Sequence, residues 1–320
     1  MTYQSRAIPD SQMTLPKLPG WVTSGRVEAL ETVAFRSGAV LAVLDQLVSD
    51  PRHGVPVSLL ANWLALRAAT ATSKLEGRLA RDADIRDAYH LTPPGEARGP
   101  DGDLLAYWRE AAGLRVTGPD WRSRLEELAG PDFAADVDRW LEEGAARTRT
   151  HGPLAGCVKA VRLVLKLDDR AERIACLLSD ILLARALGWS SVLPISACRL
   201  TKTNLRDLIA NGSGAELAIQ AQLLAAIENT IRTARDLARR AAELRAIGPK
   251  LRAKGSEAAV ELFLTEDAVA PASMLSPRIR GTSIPMTDRA ARRFCDRLVE
   301  LGVAQELTGR PTFRLYGIAP

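Results

Sequence analysis

The stretch TDRAARRFCDRLVELGVAQELTGRPTFRLYGI, residues 287–318, decides how the C-terminal part of the chain is expected to fold. Thr287 is a favourable helix N-cap, and Gly302 is a favourable helix end. Between them, apolar residues recur at helical spacing, namely Ala290, Phe294, Leu298 and Leu301. VAQEL at 303–307 and TFRLYGI at 312–318 have the composition of two strands joined by a turn. The stretch therefore predicts a helix with one buried face, followed by a β-hairpin.

Two shorter helical signals precede this stretch. Residues 257–264 are typical of one short helix, and TED at 265–267 is typical of the capped start of another. Three helices followed by a two-stranded hairpin is the layout of a winged helix-turn-helix, so we predict such a domain at 250–320. The segment 271–286 departs from that layout, because it is much longer than the usual turn between the second and third helices.

The rest of the chain is predicted to be all-α. Helical periodicity dominates residues 26–249, which we assign to a helical bundle domain, and residues 1–25 are expected to form an irregular, proline-containing lead-in. We expect more than half of all residues to be helical and the strands to lie in the last twenty or so positions. A near-continuous apolar run predicts the most buried helix: Ile174, Leu177, Leu178, Ile181, Leu182 and Leu187.

The composition favours a soluble α-rich protein and argues against several other classes. The 320 residues are 47% hydrophobic but only 5% aromatic, which is typical of helices rather than a β-sandwich. The four cysteines are too widely spaced for a zinc site and no glycine-rich phosphate loop is present, so we expect neither a metal nor a cofactor. The start of the chain lacks the apolar core of a signal peptide, and charged residues interrupt the apolar run 177–193. We therefore expect a cytoplasmic protein without a membrane span.

Exposed arginines are predicted on the last helix of the C-terminal domain. Arg289, Arg293 and Arg297 share one face of that helix, and Arg292 is also expected to be exposed. A helix that presents arginines can enter the major groove of DNA and contact phosphates and guanine edges. Arg310, in the turn of the hairpin, is expected to reach the DNA backbone or the minor groove. The sequence therefore predicts binding to double-stranded DNA through these five arginines.

The charge distribution agrees with this prediction but leaves two other interpretations open. Residues 232–320 contain 16 Lys or Arg and 10 Asp or Glu residues, whereas the preceding residues have a net charge of −1 in a chain of net charge +5. Because 36 of the 43 basic residues are arginines, the arginine face is also compatible with the ordinary solvated surface of an arginine-rich protein. The third interpretation is that the domain contacts protein.

The residues 287–318 belong to a wider pattern that resembles a known family. Together with GPKLRAKG at 248–255, LALRAATATSKLEGR at 64–78 and DAYHLTPPG at 87–95, they resemble the alphaproteobacterial family named domain of unknown function 1403. The resemblance spans nearly the whole chain. It implies a cytoplasmic, often plasmid-borne protein, and it implies no particular activity.

A second, more distant resemblance is to Fic-domain proteins. The segment from Thr72 to Gly77 is similar to their [S/T]xxxE[G/N] inhibitory helix, and Glu76 would then be the glutamate that competes with the γ-phosphate of ATP. His151 in THGPLAGCVKAVRLVL resembles the catalytic base and Gly156 resembles a loop glycine, whereas the acid, the asparagine and the arginine of the Fic loop are missing. The resemblance thus implies a helical relict with a degenerate active site.

Two further side chains are assigned to structural positions. Glu76, at the end of an apolar helix, is expected to need Arg67 or Arg78 as its partner. His90 is expected at a helix end that faces a loop. The favoured function is DNA binding without enzymatic activity, by a transcriptional regulator or plasmid-associated factor whose helical domain forms a homodimer or senses a ligand. The alternatives are a Fic-like relict that binds nucleotides and a protein-binding adaptor.

Overall fold

The structure is a computed structural model that describes residues 15–24, 29–93, 95–248, 251, 254–310 and 312–318. Helices make up 67% of it and one two-stranded sheet lies near its end. The helices within the described residues are α1 (Gly20–Thr23), α2 (Leu30–Ser49), α3 (Val57–Leu75), α4 (Asp82–His90), α5 (Gly99–Ala112), α6 (Trp121–Ala129), α7 (Ala134–His151), α8 (Pro153–Leu167), α9 (Glu172–Ala186), α10 (Lys202–Ile209), α11 (Ala215–Ile247), α12 (Ser256–Phe263) and α13 (Asp288–Glu300). The predicted all-α class and the helical majority are confirmed.

The core of the helical part is built around α9. Twelve of its fifteen residues are buried, and the side chain of Ile181 is fully buried. The helix packs against α8 and α7, which themselves form a close pair. Leu187, directly after the helix, is only partly buried. The prediction that this apolar run forms the most buried helix is confirmed.

The long helix α11 packs closely against α2. An ion pair of 2.9 Å between Arg36 and Glu228 joins the two helices at a nearly buried position. Among the described helices, α2 is the one whose length and apolar composition would also suit a membrane span. In this fold one side of α2 packs against α11.

Parts of the predicted domain boundaries fall outside the described residues. These parts are residues 1–14 and 25–28 at the start, and residues 249–250 at the predicted boundary with the C-terminal domain. The described part of the lead-in is not wholly irregular, because α1 lies within it.

A buried carboxylate fixes the loop that follows α9. One oxygen of Asp180 accepts hydrogen bonds from the Ser196 hydroxyl at 2.7 Å, from the Ser196 amide at 2.8 Å and from the Ile195 amide at 3.2 Å. Its other carboxylate oxygen has no partner among the described residues. Burial raises the pKa of Asp180 to about 7, and the donated hydrogen bonds oppose that rise.

The C-terminal residues form a small module of mixed structure. After α12, a turn and two bends lead to Val269, and a single π-helical turn, Pro271–Leu275, follows. Strand β1 (Gln305–Glu306) pairs antiparallel with β2 (Tyr316–Gly317), and Val269 bonds to the other edge of β2 at Tyr316. The predicted hairpin is therefore present, although its strands are shorter than the segments predicted for them.

Two predictions for this module are wrong. The residues 265–267 do not begin a helix, because the backbone of Val269 donates to and accepts from Tyr316 at 2.7 and 3.0 Å instead of forming helical hydrogen bonds. Leu301 is not part of the buried face, since it follows the end of α13 and remains 36% exposed. By contrast, Thr287 does cap α13, accepting a hydrogen bond from the Ala290 amide at 3.3 Å.

The placement of the core predicts a large effect of Ile181→Asp. A carboxylate at this fully buried position has no partner, so we expect a loss of about 4 kcal/mol in the free energy of unfolding. Denaturant titration measures it. The control, Ala186→Asp, adds the same charge at an exposed position of α9 and should change stability by less than about 1 kcal/mol. Equal effects of the two substitutions would show that α9 is not the core.

The raised pKa of Asp180 predicts a pH-dependent stability. Between its ordinary value of 3.8 and about 7, the folded protein holds a proton on Asp180 that the unfolded chain releases. Stability from this site is therefore full below the ordinary pKa and falls as the pH rises towards 7, by at most about 1.4 kcal/mol per pH unit. The substitution Asp180→Asn keeps an acceptor oxygen, but the asparagine side chain does not titrate. Wild type should therefore lose stability relative to the variant between about pH 5 and 7. Parallel stability profiles of the two proteins would contradict this assignment.

Candidate functional site

A buried ionic cluster connects α5 to the C-terminal module. The guanidinium of Arg109 donates to the carboxylates of both Asp267 and Glu266. The Nε2 atom of His90, the last residue of α4, lies 3.3 Å from Oδ1 of Asp267. The side chains of Asp267 and His90 are 1% and 2% exposed, so this cluster is almost completely removed from water.

Electrostatics keep Asp267 ionised in spite of its burial. Burial alone would raise the pKa of this carboxyl, but the charges of His90 and Arg109 and the hydrogen bond from His90 outweigh that effect and lower it below 3.8. Its Oδ2 atom has no hydrogen-bond partner among the described residues. Tyr89 shields the cluster, with the guanidinium groups of Arg98 and Arg109 at 4.7 and 5.0 Å from its ring centre.

Three polar contacts extend this junction between the helical part and the C-terminal module. The Arg86 guanidinium donates to the carbonyl of Leu307 at 2.9 Å, next to strand β1. The side-chain amide of Asn62 donates to the carbonyl of Thr265 at 2.8 Å. The third contact is an ion pair of 3.2 Å between Arg310 and Asp87. The turn of the hairpin is thus held against α4.

A cavity of about 870 Å³ opens between the loop after α4 and the C-terminal module, and we call it the junction cavity. Its aromatic lining residues are Tyr89, Phe313 and Tyr316, and its charged lining residues are Arg98, Arg280, Arg292, Arg314, Glu96 and Asp296. His90 also lines it, so the cavity reaches the ionic cluster. A second cavity of about 590 Å³ is lined by Arg109 and Thr265 on the α3 side. The cluster therefore lies between two cavities.

The predicted DNA-contacting arginines of α13 fall into two groups. Arg289 and Arg293 are exposed, and none of the described acidic side chains lies within ion-pair distance of either guanidinium. The other two are paired on their own helix, Arg292 with Asp288 at 2.7 Å and Arg297 with Glu300 at 2.9 Å. Within the described part of the chain, the helix thus offers two arginines without an acidic partner, one turn apart.

The residues singled out by the Fic resemblance do not come together in one site. Thr72 is buried, where its hydroxyl accepts a hydrogen bond from the Trp108 indole at 3.0 Å. Gly77 forms the turn after α3 with a φ of 81°, a conformation that favours glycine. His151 is exposed at the end of α7, with its Nε2 atom 2.9 Å from an Arg147 nitrogen.

Glu76 is held by arginines, as its position at a helix end predicts. It accepts from Arg78 at 2.9 Å and from the Nε atom of Arg173 at 2.9 Å. Of the two partners expected from the sequence, Arg78 is correct, whereas Arg67 pairs with Asp82 at 2.6 Å. In the described part of the chain Glu76 shares no hydrogen-bond or ion-pair partner with His151.

Sequence reasoning missed the residues that form the buried cluster. His90 was expected at a loop-facing helix end, but it is buried because Asp267 and the C-terminal module cover it. Asp267 is 177 residues from His90 and 158 from Arg109, so no local spacing connects them. The one local signal is that the acids 266–267 are followed directly by the apolar residues AVA at 268–270. Within the described residues, no group of three His, Cys, Asp or Glu side chains suits a metal ion.

The sequence was compared with known protein families and with curated proteins. A family model described as "Protein of unknown function (DUF1403)" matches residues 6–318, almost the whole chain. No curated protein matches the sequence significantly.

The buried cluster predicts that Asp267→Asn destabilises the protein strongly. The change removes the negative charge that faces the Arg109 guanidinium at a position 1% exposed, so we expect a loss of about 3 kcal/mol. Denaturant titration near neutral pH measures it, since the lowered pKa keeps Asp267 ionised there and its contribution fades only in acid.

The control for this change is Glu300→Gln. It removes a carboxylate from the exposed pair with Arg297, and we expect a change within about 0.5 kcal/mol. If Asp267→Asn were no more destabilising than this control, the cluster would not join the two parts of the protein.

Proposed function

The chain belongs to the DUF1403 family, and we propose that it binds double-stranded DNA through α13 of its C-terminal module. The observation that carries this proposal is the pair Arg289 and Arg293, both exposed and without a described acidic partner. They lie in the N-terminal half of α13, the half of a recognition helix that contacts base edges. Burying such a guanidinium is favourable only where it meets an anion or strong hydrogen-bond acceptors. DNA offers both, in its phosphates and in the edges of guanine bases.

The order of elements in the module also supports the proposal. A helix (α12), an extended segment at Val269, a short helical turn, a second full helix (α13) and the hairpin β1–β2 follow one another. With Val269 paired to one edge of β2 and β1 to the other, the small sheet has three extended segments. This order resembles that of a winged helix-turn-helix, and in the proposal α13 takes the place of the recognition helix.

The helix is built to hold one face outward. Ala291, Phe294, Cys295 and Leu298 are buried on the side that meets the π-helical turn Pro271–Leu275. The ring of Phe294 lies 6.2 Å from that of Phe263, which ties α13 to α12. Because the buried face is fully used for packing, Arg289, Arg293 and Arg297 are directed away from the module.

The remaining predicted contacts receive secondary roles in the proposal. Arg292 and Arg297 keep their helical ion pairs, so in the proposal they are secondary contacts beside the groove-facing residues. Arg310 is still 57% exposed but is paired with Asp87, so we assign it a phosphate contact that competes with that ion pair. A cytoplasmic location and a homodimer with two half-sites remain predictions that accompany this proposal.

The proposal predicts the effects of Arg289→Gln and Arg293→Gln. Selection from a random duplex pool, followed by anisotropy titration at several salt concentrations, should give a preferred site. Each change should weaken binding by about 1–3 kcal/mol, and a lost phosphate contact should reduce the salt slope by about 0.9. A lost guanine contact should instead relax the sequence preference at one position.

The matched control is Arg206→Gln, which removes an exposed arginine from α10, outside the C-terminal module. It should bind DNA as wild type does. If wild type, the two α13 variants and the control bound all duplexes with equal, weak affinity, α13 would be an ordinary solvated surface and the proposal would be wrong.

A further inference from the structure

The junction cavity has the size and walls of a small-molecule site. Its volume of about 870 Å³ lies within the range of ligand pockets in proteins, about 300–1,000 Å³. One wall is the loop after α4, with Tyr89 and Arg98, and the other is the C-terminal module, with Arg280 and Phe313. A ligand held here would therefore contact both parts of the protein.

The charge of the lining favours an anion. Of its arginines, Arg314 lies 3.9 Å from Asp296, and Arg292 is paired with Asp288. The guanidinium of Arg280 has no side-chain partner among the described residues, and that of Arg98 contacts only the ring of Tyr89. Two cavity-lining guanidinium groups are thus without a carboxylate, which suits a bound phosphate or carboxylate.

The aromatic lining favours a planar ring beside that anion. Phe313 is 75% exposed and has a φ of 55°, in the left-handed region that bulky side chains rarely adopt. The apolar ring of Phe313 is thus exposed to water at the edge of the junction cavity, and its backbone has an unfavourable conformation. Strained residues of this kind concentrate at ligand sites, where a stacking partner would cover the ring.

We propose that the junction cavity binds a small molecule that combines a planar ring with an anionic group, with the ring against Phe313 and the anion at Arg280. The anionic group is a phosphate, as in a mononucleotide, or a carboxylate, as in an aromatic acid. Both share the chemistry that the lining recognises. The site differs from the proposed DNA face in its main residues, because Arg289 and Arg293 do not line the cavity, whereas Arg292 lines it.

Calorimetric titration of the full chain, without DNA, tests this proposal. One set of probes is the ribonucleoside 5′-monophosphates, with nucleosides and inorganic phosphate as their fragments, and the other set is benzoate, salicylate and indole-3-acetate. At least one complete probe should bind with a Kd below about 0.1 mM, more tightly than its fragments. A response to the first set alone identifies a phosphate ligand, and a response to the second set identifies a carboxylate.

Substitutions locate the binding. Arg280→Gln should weaken the binding of the responding probe by about tenfold, and Phe313→Ala by about fivefold. The matched controls Arg278→Gln, on the same loop but outside the lining, and Phe35→Ala, an exposed phenylalanine of α2, should leave it unchanged. Arg289→Gln should also leave it unchanged, which separates this site from the DNA face.

Two results would overturn the proposal. One is the absence of any probe from either set with a Kd below about 0.1 mM. The other is binding that Arg280→Gln and Phe313→Ala leave unchanged. Both positions are exposed, so melting temperatures equal to that of wild type will show that the variants are folded.

Discussion

The pairing of Arg109 with Glu266 and Asp267 is the interaction on which the rest of the C-terminal structure depends. A buried guanidinium must be neutralised and hydrogen-bonded, and here two consecutive residues of a distant segment supply both carboxylates. A helix that began at residues 265–267 would use the backbone groups of Val269 in its own hydrogen bonds. Because the chain bends at residues 267 and 268 instead, Val269 can bond to Tyr316 and place β2, and with it the hairpin, beside α4.

The helices that sequence reasoning predicted well are those whose apolar pattern reports burial directly. The run through Ile181 and the spacing of Phe294 and Leu298 identify a buried face without knowledge of the partner surface. The residues 265–267 show the limit of such reasoning. Thr, Glu and Asp are typical of a helix start, but acids are equally suited to an ion pair, and only the position of Arg109 in space decides between the two.

Of the candidate functional residues, only those that lie together on one helix, α13, could be predicted from the sequence. The spacing of Arg289 and Arg293 places them on one exposed face, as the structure has them. The junction cavity, by contrast, combines residues near position 90 with residues near positions 280 and 313. No sequence pattern reports that combination, and the exposure and backbone conformation of Phe313 are properties of the folded chain alone.

Helix α13 presents two chemically different surfaces on two of its faces. Arg289 and Arg293 point outward, whereas Arg292 and Asp296 line the junction cavity on one flank of the same helix. The net charge of the predicted C-terminal domain is small, since residues 250–320 contain eleven Lys or Arg and eight Asp or Glu residues. With so small a net charge, non-specific attraction of a polyanion is weak. Affinity for DNA in such a module must therefore come from the positions of its few arginines without an acidic partner. In the same way, the affinity of the junction cavity for an anion depends on the position of Arg280.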